Sequence, residues 1–124
     1  MKMYLIDVKN EIVGTVDVND DLQEYYNILG VSTIDIVMRR IGDRVFDIIC
    51  DDEGMFNEPV KISAVSSNEE PMLVGNLLFA HHDKEGNMVG LSDEDLAHLR
   101  IHTGVMFTED FQGGYPVMGN CDYV

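Results

Sequence analysis

A chain of 124 residues that is 45% hydrophobic can bury a core without disulfide or metal staples, and its length fits one domain over residues 1–124. Its 23 Asp and Glu against 8 Lys and Arg give a formal net charge of -15, which disfavours direct nucleic-acid binding because phosphate contacts need clustered cations. No apolar run reaches the roughly 20 residues of a membrane-spanning helix, and Asp7 breaks the opening MKMYLIDVKNEIV where a secretory leader would stay apolar; the expectation is a cytoplasmic protein with no membrane partner.

Met3 to Val8 and Glu11 to Val18 are rich in β-branched and apolar residues, with Lys9 and Asn10 between them, and predict an opening hairpin. Asn19, Asp20 or Asp21 offers an N-cap oxygen for a short helix in which Leu22, Tyr25, Tyr26 and Leu29 recur at helical spacing before Gly30. From Ile34 the period becomes two. A tight antiparallel hairpin is expected around Gly42-Asp43, with Gly42 supplying the positive φ of a type II′ turn. One face is read as Ile34, Ile36, Met38, Phe46, Ile48 and Cys50, lying against the helices.

The second strand closes in Asp51, Asp52, Glu53 and Gly54, followed by Asn57 and Glu58. Oxygen atoms at this density suit a hard cation, but the spacing is not that of a calcium-binding loop. The reading taken is an acidic turn whose carboxylates accept from backbone amides. Pro59 to Ser63 is extended, and Pro71 to Ala80 is apolar enough to be a central strand covered on both faces. Gly75 and Asn76 interrupt that strand, as a bulge does or as the close approach of a ligand requires.

Asp83 to Asn87 form a turn, and Ser92 caps a second helix with Asp93, Glu94 and Asp95 in its first turn and Leu96 and Leu99 pointing inward. The remainder, 105–124, holds Gly113, Gly114, Pro116 and Gly119 and reads as an irregular segment docked by Phe107, Phe111, Tyr115 and Tyr123.

Catalytic constellations are not legible. His98 and His102 lie four apart and share a helix face with Glu94, the spacing of a transition-metal pair, yet no third ligand is evident and no H-E-x-x-H signature is present. They are the weak candidates for a metal, and the default is two polar residues favoured by the negative end of the helix dipole. His81 and His82 are as unspecific. Cys50 and Cys121 are read as free thiols, inert where apolar neighbours surround them. Glycine-rich phosphate loops and the G-x-S-x-G elbow are missing, so no cofactor is expected.

Several segments resemble a known family: Leu22 to Tyr26, the hairpin leading to DIICDDEG at Asp47 to Gly54, PMLVGNLLFA at Pro71 to Ala80, and D-x-x-G with L-S-D-E-D between Asp83 and Asp95. Together they are similar to the uncharacterised domain-of-unknown-function family 3846 of Gram-positive bacteria and their phages. The resemblance spans the first four fifths of the chain and leaves out the segment after Met106. It implies an α+β domain and lends no catalytic residues. The expected architecture is an antiparallel sheet of about five strands with two short helices packed on one face.

Three functions follow as expectations. The leading one is a non-enzymatic acidic interaction protein of a bacterium or mobile element, engaging a basic nucleic-acid-handling or defence protein. The alternative is a module for a nucleotide-like or metabolite ligand, bound by Asp51, Asp52, Glu53, Gly75 and Asn76. The third is a metal-dependent enzyme built on His98 and His102. The tyrosines and methionines also offer an apolar contact between copies of the chain.

Overall fold

The computed structural model describes residues 1–107 and 114–124. In chain order the elements are β1 (Lys2–Asp7), β2 (Ile12–Asp17), α1 (Leu22–Leu29), β3 (Ile34–Ile41), β4 (Arg44–Asp51), a 3-10 turn (Gly54–Phe56), β5 (Ile62–Val65), β6 (Pro71–Val74), β7 (Leu77–His82), β8 (Met88–Val89), α2 (Asp93–Ile101), β9 (Thr103–Phe107), β10 (Gly114–Met118) and β11 (Cys121–Tyr123). The fold is mixed α and β with strands dominant, and the strands make two sheets. The larger has seven strands in the order β11-β3-β4-β7-β1-β2, with β8 on β7; the smaller has four, in the order β6-β5-β10-β9. A sheet of about five strands underestimates this architecture.

The opening hairpin forms as expected, with Asp7 accepting from the backbone N–H groups of Lys9 and Asn10 in its turn. Asp21 is the N-cap of α1, accepting from the N–H groups of Gln23 and Glu24, and Gly30 ends the helix at φ +68°. Ser92 and Asp95 form a reciprocal capping box at α2.

Where the expectation fails is in the faces. Met3 and Leu5 of β1, Ile49 of β4, and Leu78 and Ala80 of β7 pack with Tyr25 and Leu29 of α1. Tyr4, Ile6, Phe46, Ile48, Leu77 and Phe79, on the opposite face, pack with Leu96 and Leu99 of α2 and with Ala64, Tyr115 and Met118 of the smaller sheet. The two helices therefore lie on opposite faces of the large sheet. Strands β1, β4 and β7 are apolar at successive positions because each is covered from both sides.

The β3–β4 hairpin turns at Gly42-Asp43, with Gly42 at φ +63°. Its two-residue loop sets Ile41 opposite Arg44, so residues of opposite parity face each other across the pair: Ile36 pairs with Ile49, and Val37 with Ile48. Ile36 and Ile48 are consequently on opposite faces. The chain leaves Ile36 45% and Met38 46% exposed, while Phe46, Ile48 and Cys50 are buried on the α2 face.

Pro71 to Ala80 is not one bulged strand. Gly75, at φ +76°, is a corner that sends β6 into the small sheet and β7 into the large one. The segment 105–124 is not irregular in its described parts: it carries the end of β9, then β10 and β11, which closes the large sheet against β3. The expectations for Phe111 and Gly113 lie outside the described residues. No helix among the described residues is long and apolar enough to cross a membrane.

Candidate functional site

The acidic turn and the Gly75 corner meet at one end of the large sheet. Asp51 Oδ1 accepts from the Glu53 N–H at 2.9 Å, and Oδ2 accepts from the Asn57 side-chain amide at 3.1 Å. The carboxylate thus closes the loop on itself, as an Asx turn does. A Cβ on Gly54 would stand 3.0 Å from Val74 Cγ2, so glycine lets the 3-10 turn press against the corner. Between these segments and the β1–β2 turn lies a cavity of about 270 Å³, bordered by Val8, Lys9, Asn57, Lys61 and Gly75.

Of the five residues read as ligand-binding, Gly75 lines this cavity and Asp51 stands behind it through Asn57. Asp52 and Glu53 are exposed and do not border it. Asn76 has another task. It is 4% exposed, accepts from the Val8 N–H at 2.9 Å and donates to the Leu29 carbonyl at 3.1 Å, which ties β7 to the first hairpin turn and to the end of α1. Sequence reasoning missed Lys9 and Lys61. Lys61 donates to the Val8 carbonyl at 3.2 Å and lies 5.4 Å over the Tyr115 ring. No local pattern announces a contact between residues that only the sheet topology brings together. Chemically the cavity has a mixed polar lining, with Lys9 and Lys61 as cations and Glu58 as a carboxylate, open to a small polar ligand.

His98 and His102 do converge, with ring centroids 4.7 Å apart, but one nitrogen of each ring is already engaged. His98 Nε2 donates to the Ile41 carbonyl, and His102 Nδ1 accepts from the Asn120 amide at 2.9 Å. Glu94 is exposed, and Asp95 receives contacts from its neighbours instead. Arg44 donates to Asp95 at 3.0 Å and His81 lies 3.1 Å from it. Burial acts to raise Asp95, but the Ser92 amide and hydroxyl, with His81 and Arg44, hold it net below the usual carboxylate range. The Phe46 ring stacks with His81 at 5.1 Å and with His98 at 6.1 Å. This row clamps α2 onto the hairpin. Among the described residues, no three His, Cys, Asp or Glu side chains are placed to share a metal ion.

Both thiols are free and buried, and burial pushes Cys50 up to about 11 and Cys121 up to about 12. Thiols so protonated are poor nucleophiles.

A larger concave feature than the cavity at Gly75 lies along β9. A groove of about 700 Å³ includes Val65, Met106, Val117 and Glu69, and a second of about 400 Å³, on the side of Val13 and Pro116, runs beside the same strand. Of the fully charged residues that line them, Glu69 borders the first, and Glu11 and Arg100 border the second. Among the described residues, the Lys and Arg side chains pair with two carboxylates, Lys2 with Asp93 at 3.7 Å and Arg44 with Asp95 at 3.0 Å. Asp20 and Asp21 are exposed at the start of α1, Glu94 at the start of α2, and Glu85 in the turn between β7 and β8. The Asp20 carboxylate accepts from the Met88 N–H at 3.2 Å, which draws α1 and β8 to the same rim.

A protein-family model described as "Domain of unknown function (DUF3846)" matches residues 1–104 of the chain. Searches of the curated proteins and of the solved structures returned no match.

Proposed function

The chain belongs to the family described as domain of unknown function DUF3846, and we propose that it is a non-enzymatic interaction protein whose acidic surface holds a basic, nucleic-acid-handling partner. A cytoplasmic setting in a bacterium or mobile element, and a defence enzyme as the partner, belong to the same reading. One observation carries it: 23 carboxylate residues stand against 8 Lys and Arg, and only two Lys or Arg side chains pair with them among the described residues. A charge imbalance left open inside the protein accelerates encounter with a cationic surface and discriminates against anionic ones. Such a surface competes with nucleic acid for the same basic patch.

The test is capture on the immobilised chain from bacterial lysate at low salt, followed by elution with either salt or duplex DNA. Basic nucleic-acid-binding proteins should leave in both eluates, because screening weakens exposed charge pairs over a Debye length of about 10 Å at 0.1 M. If no salt-sensitive protein is retained, the reading fails.

A second reading draws on the cavity of about 270 Å³ at Lys9, Asn57 and Lys61. It takes a small polar ligand, nucleotide-like or a metabolite, in place of a protein. A thermal-shift screen of nucleotides and divalent cations decides it, since a ligand that binds only the folded state raises the melting temperature.

A further inference from the structure

Sheet edges in stable proteins carry charges, prolines or covers that stop other strands from adding to them. Among the described residues the edges follow that practice with one exception, β8 being blunted by its length of two residues. Strand β6 begins with Pro71, β2 ends in Asp17 and β11 carries Asp122. Strand β9 reads TGVMF, with neither charge nor proline, and among the described residues β10 is its one strand neighbour. Val105 and Phe107 of this strand are 64% and 71% exposed, and Ile101, at the end of α2 just before it, is 79% exposed. Grooves of about 700 and 400 Å³ run beside the strand. A backbone edge with no strand beyond it among the described residues, and with grooves along its strand, is what an extended peptide needs: the edge supplies main-chain hydrogen bonds, and the grooves receive alternate side chains.

We propose that β9 is an acceptor strand for an extended, cationic segment of the partner protein. Apolar side chains of that segment enter the groove made by Val65, Met106 and Val117, and a Lys or Arg lies beside Glu69 at its mouth. Charge decides against a second copy of this chain as the occupant, because two surfaces at -15 repel each other. The inference rests on the proposed function and names the place where the partner docks.

The probe is a short synthetic peptide of alternating valine and lysine, compared with the same peptide N-methylated at alternate residues and with a valine–glutamate version. The first should bind the full chain and protect backbone amides of Thr103–Phe107 from hydrogen exchange. Methylation, which keeps the charge but blocks strand pairing, should weaken binding at least about tenfold, and the acidic version should not bind. Val105→Asp should weaken the lysine peptide comparably although it adds a favourable charge, whereas Met55→Asp, at another exposed apolar position, should not.

Equal binding of the methylated peptide, with no protection in β9, overturns the acceptor strand and leaves the acidic-partner reading standing. Failure of both cationic peptides to bind at low salt overturns both. Sedimentation of the free chain as a dimer that Val105→Asp dissociates makes a second copy the occupant and overturns the choice made here.

Discussion

Asn76 shows how one side chain can resemble a ligand residue in sequence and serve the architecture in space. Its amide satisfies the Val8 N–H and the Leu29 carbonyl at a buried site. Asn76→Ala leaves both buried groups without a partner, and an unsatisfied buried group costs about 1–3 kcal/mol. The urea midpoint should fall accordingly. His102 sets a dependence on pH. Burial, then the neighbouring His98, holds its pKa below the ordinary histidine value, with Asp43 acting the other way. The folded state therefore prefers the neutral ring. The stability this contributes is present above the unfolded value of about 6.5 and is lost as pH falls through the lower folded value. Melting temperature should decline on acidification through that window, and His102→Gln should make the decline shallower.

At the scale of elements, turns and caps are what the sequence states most clearly, because each is a local bargain between a few neighbouring residues. Gly42 is the case that other contacts sharpen. A Cβ there would meet a positive φ of 63° and stand 2.7 Å from His102 Nε2. Gly42→Ala should cost about 1–3 kcal/mol, read as a lowered denaturation midpoint, and the loss should shrink in the background of His102→Ala. The same hairpin shows the limit of local reading. The loop residues were legible, but a two-residue loop fixes which parity faces which, and the expected face of Ile36 and Ile48 ignored that constraint. Gly75 was legible as an interruption; a bulge and a corner both want a positive φ, and only the partners of Val74 and Leu77 in separate sheets tell them apart. Of the candidate site, Gly75 and Asp51 were visible. Lys61 was not, since it meets Val8 across 53 residues of chain.

The whole molecule is governed by its charge. Self-repulsion at -15 opposes the compact state. Added salt should therefore raise the melting temperature of the free chain while it weakens the complex with a cationic partner, two responses of opposite sign from one cause. Calorimetry on the chain alone and a binding titration over the same salt series check this. A melting temperature that falls with salt would show that attractive pairs dominate instead.

The strand order bears on how the chain finds its shape. β7 sits between β4 and β1, and β10 lies parallel to β5, so the pairings at the centre of each sheet join segments far apart along the backbone. Neither helix has a finished surface to rest on until those distant segments have met. Closing such long loops before contacts reward them makes for slow refolding, in the millisecond-to-second range of sheet-rich domains. During that search Leu77 to Ala80 are bare, and mutual repulsion between highly charged chains is what keeps one half-assembled molecule from sticking to the next.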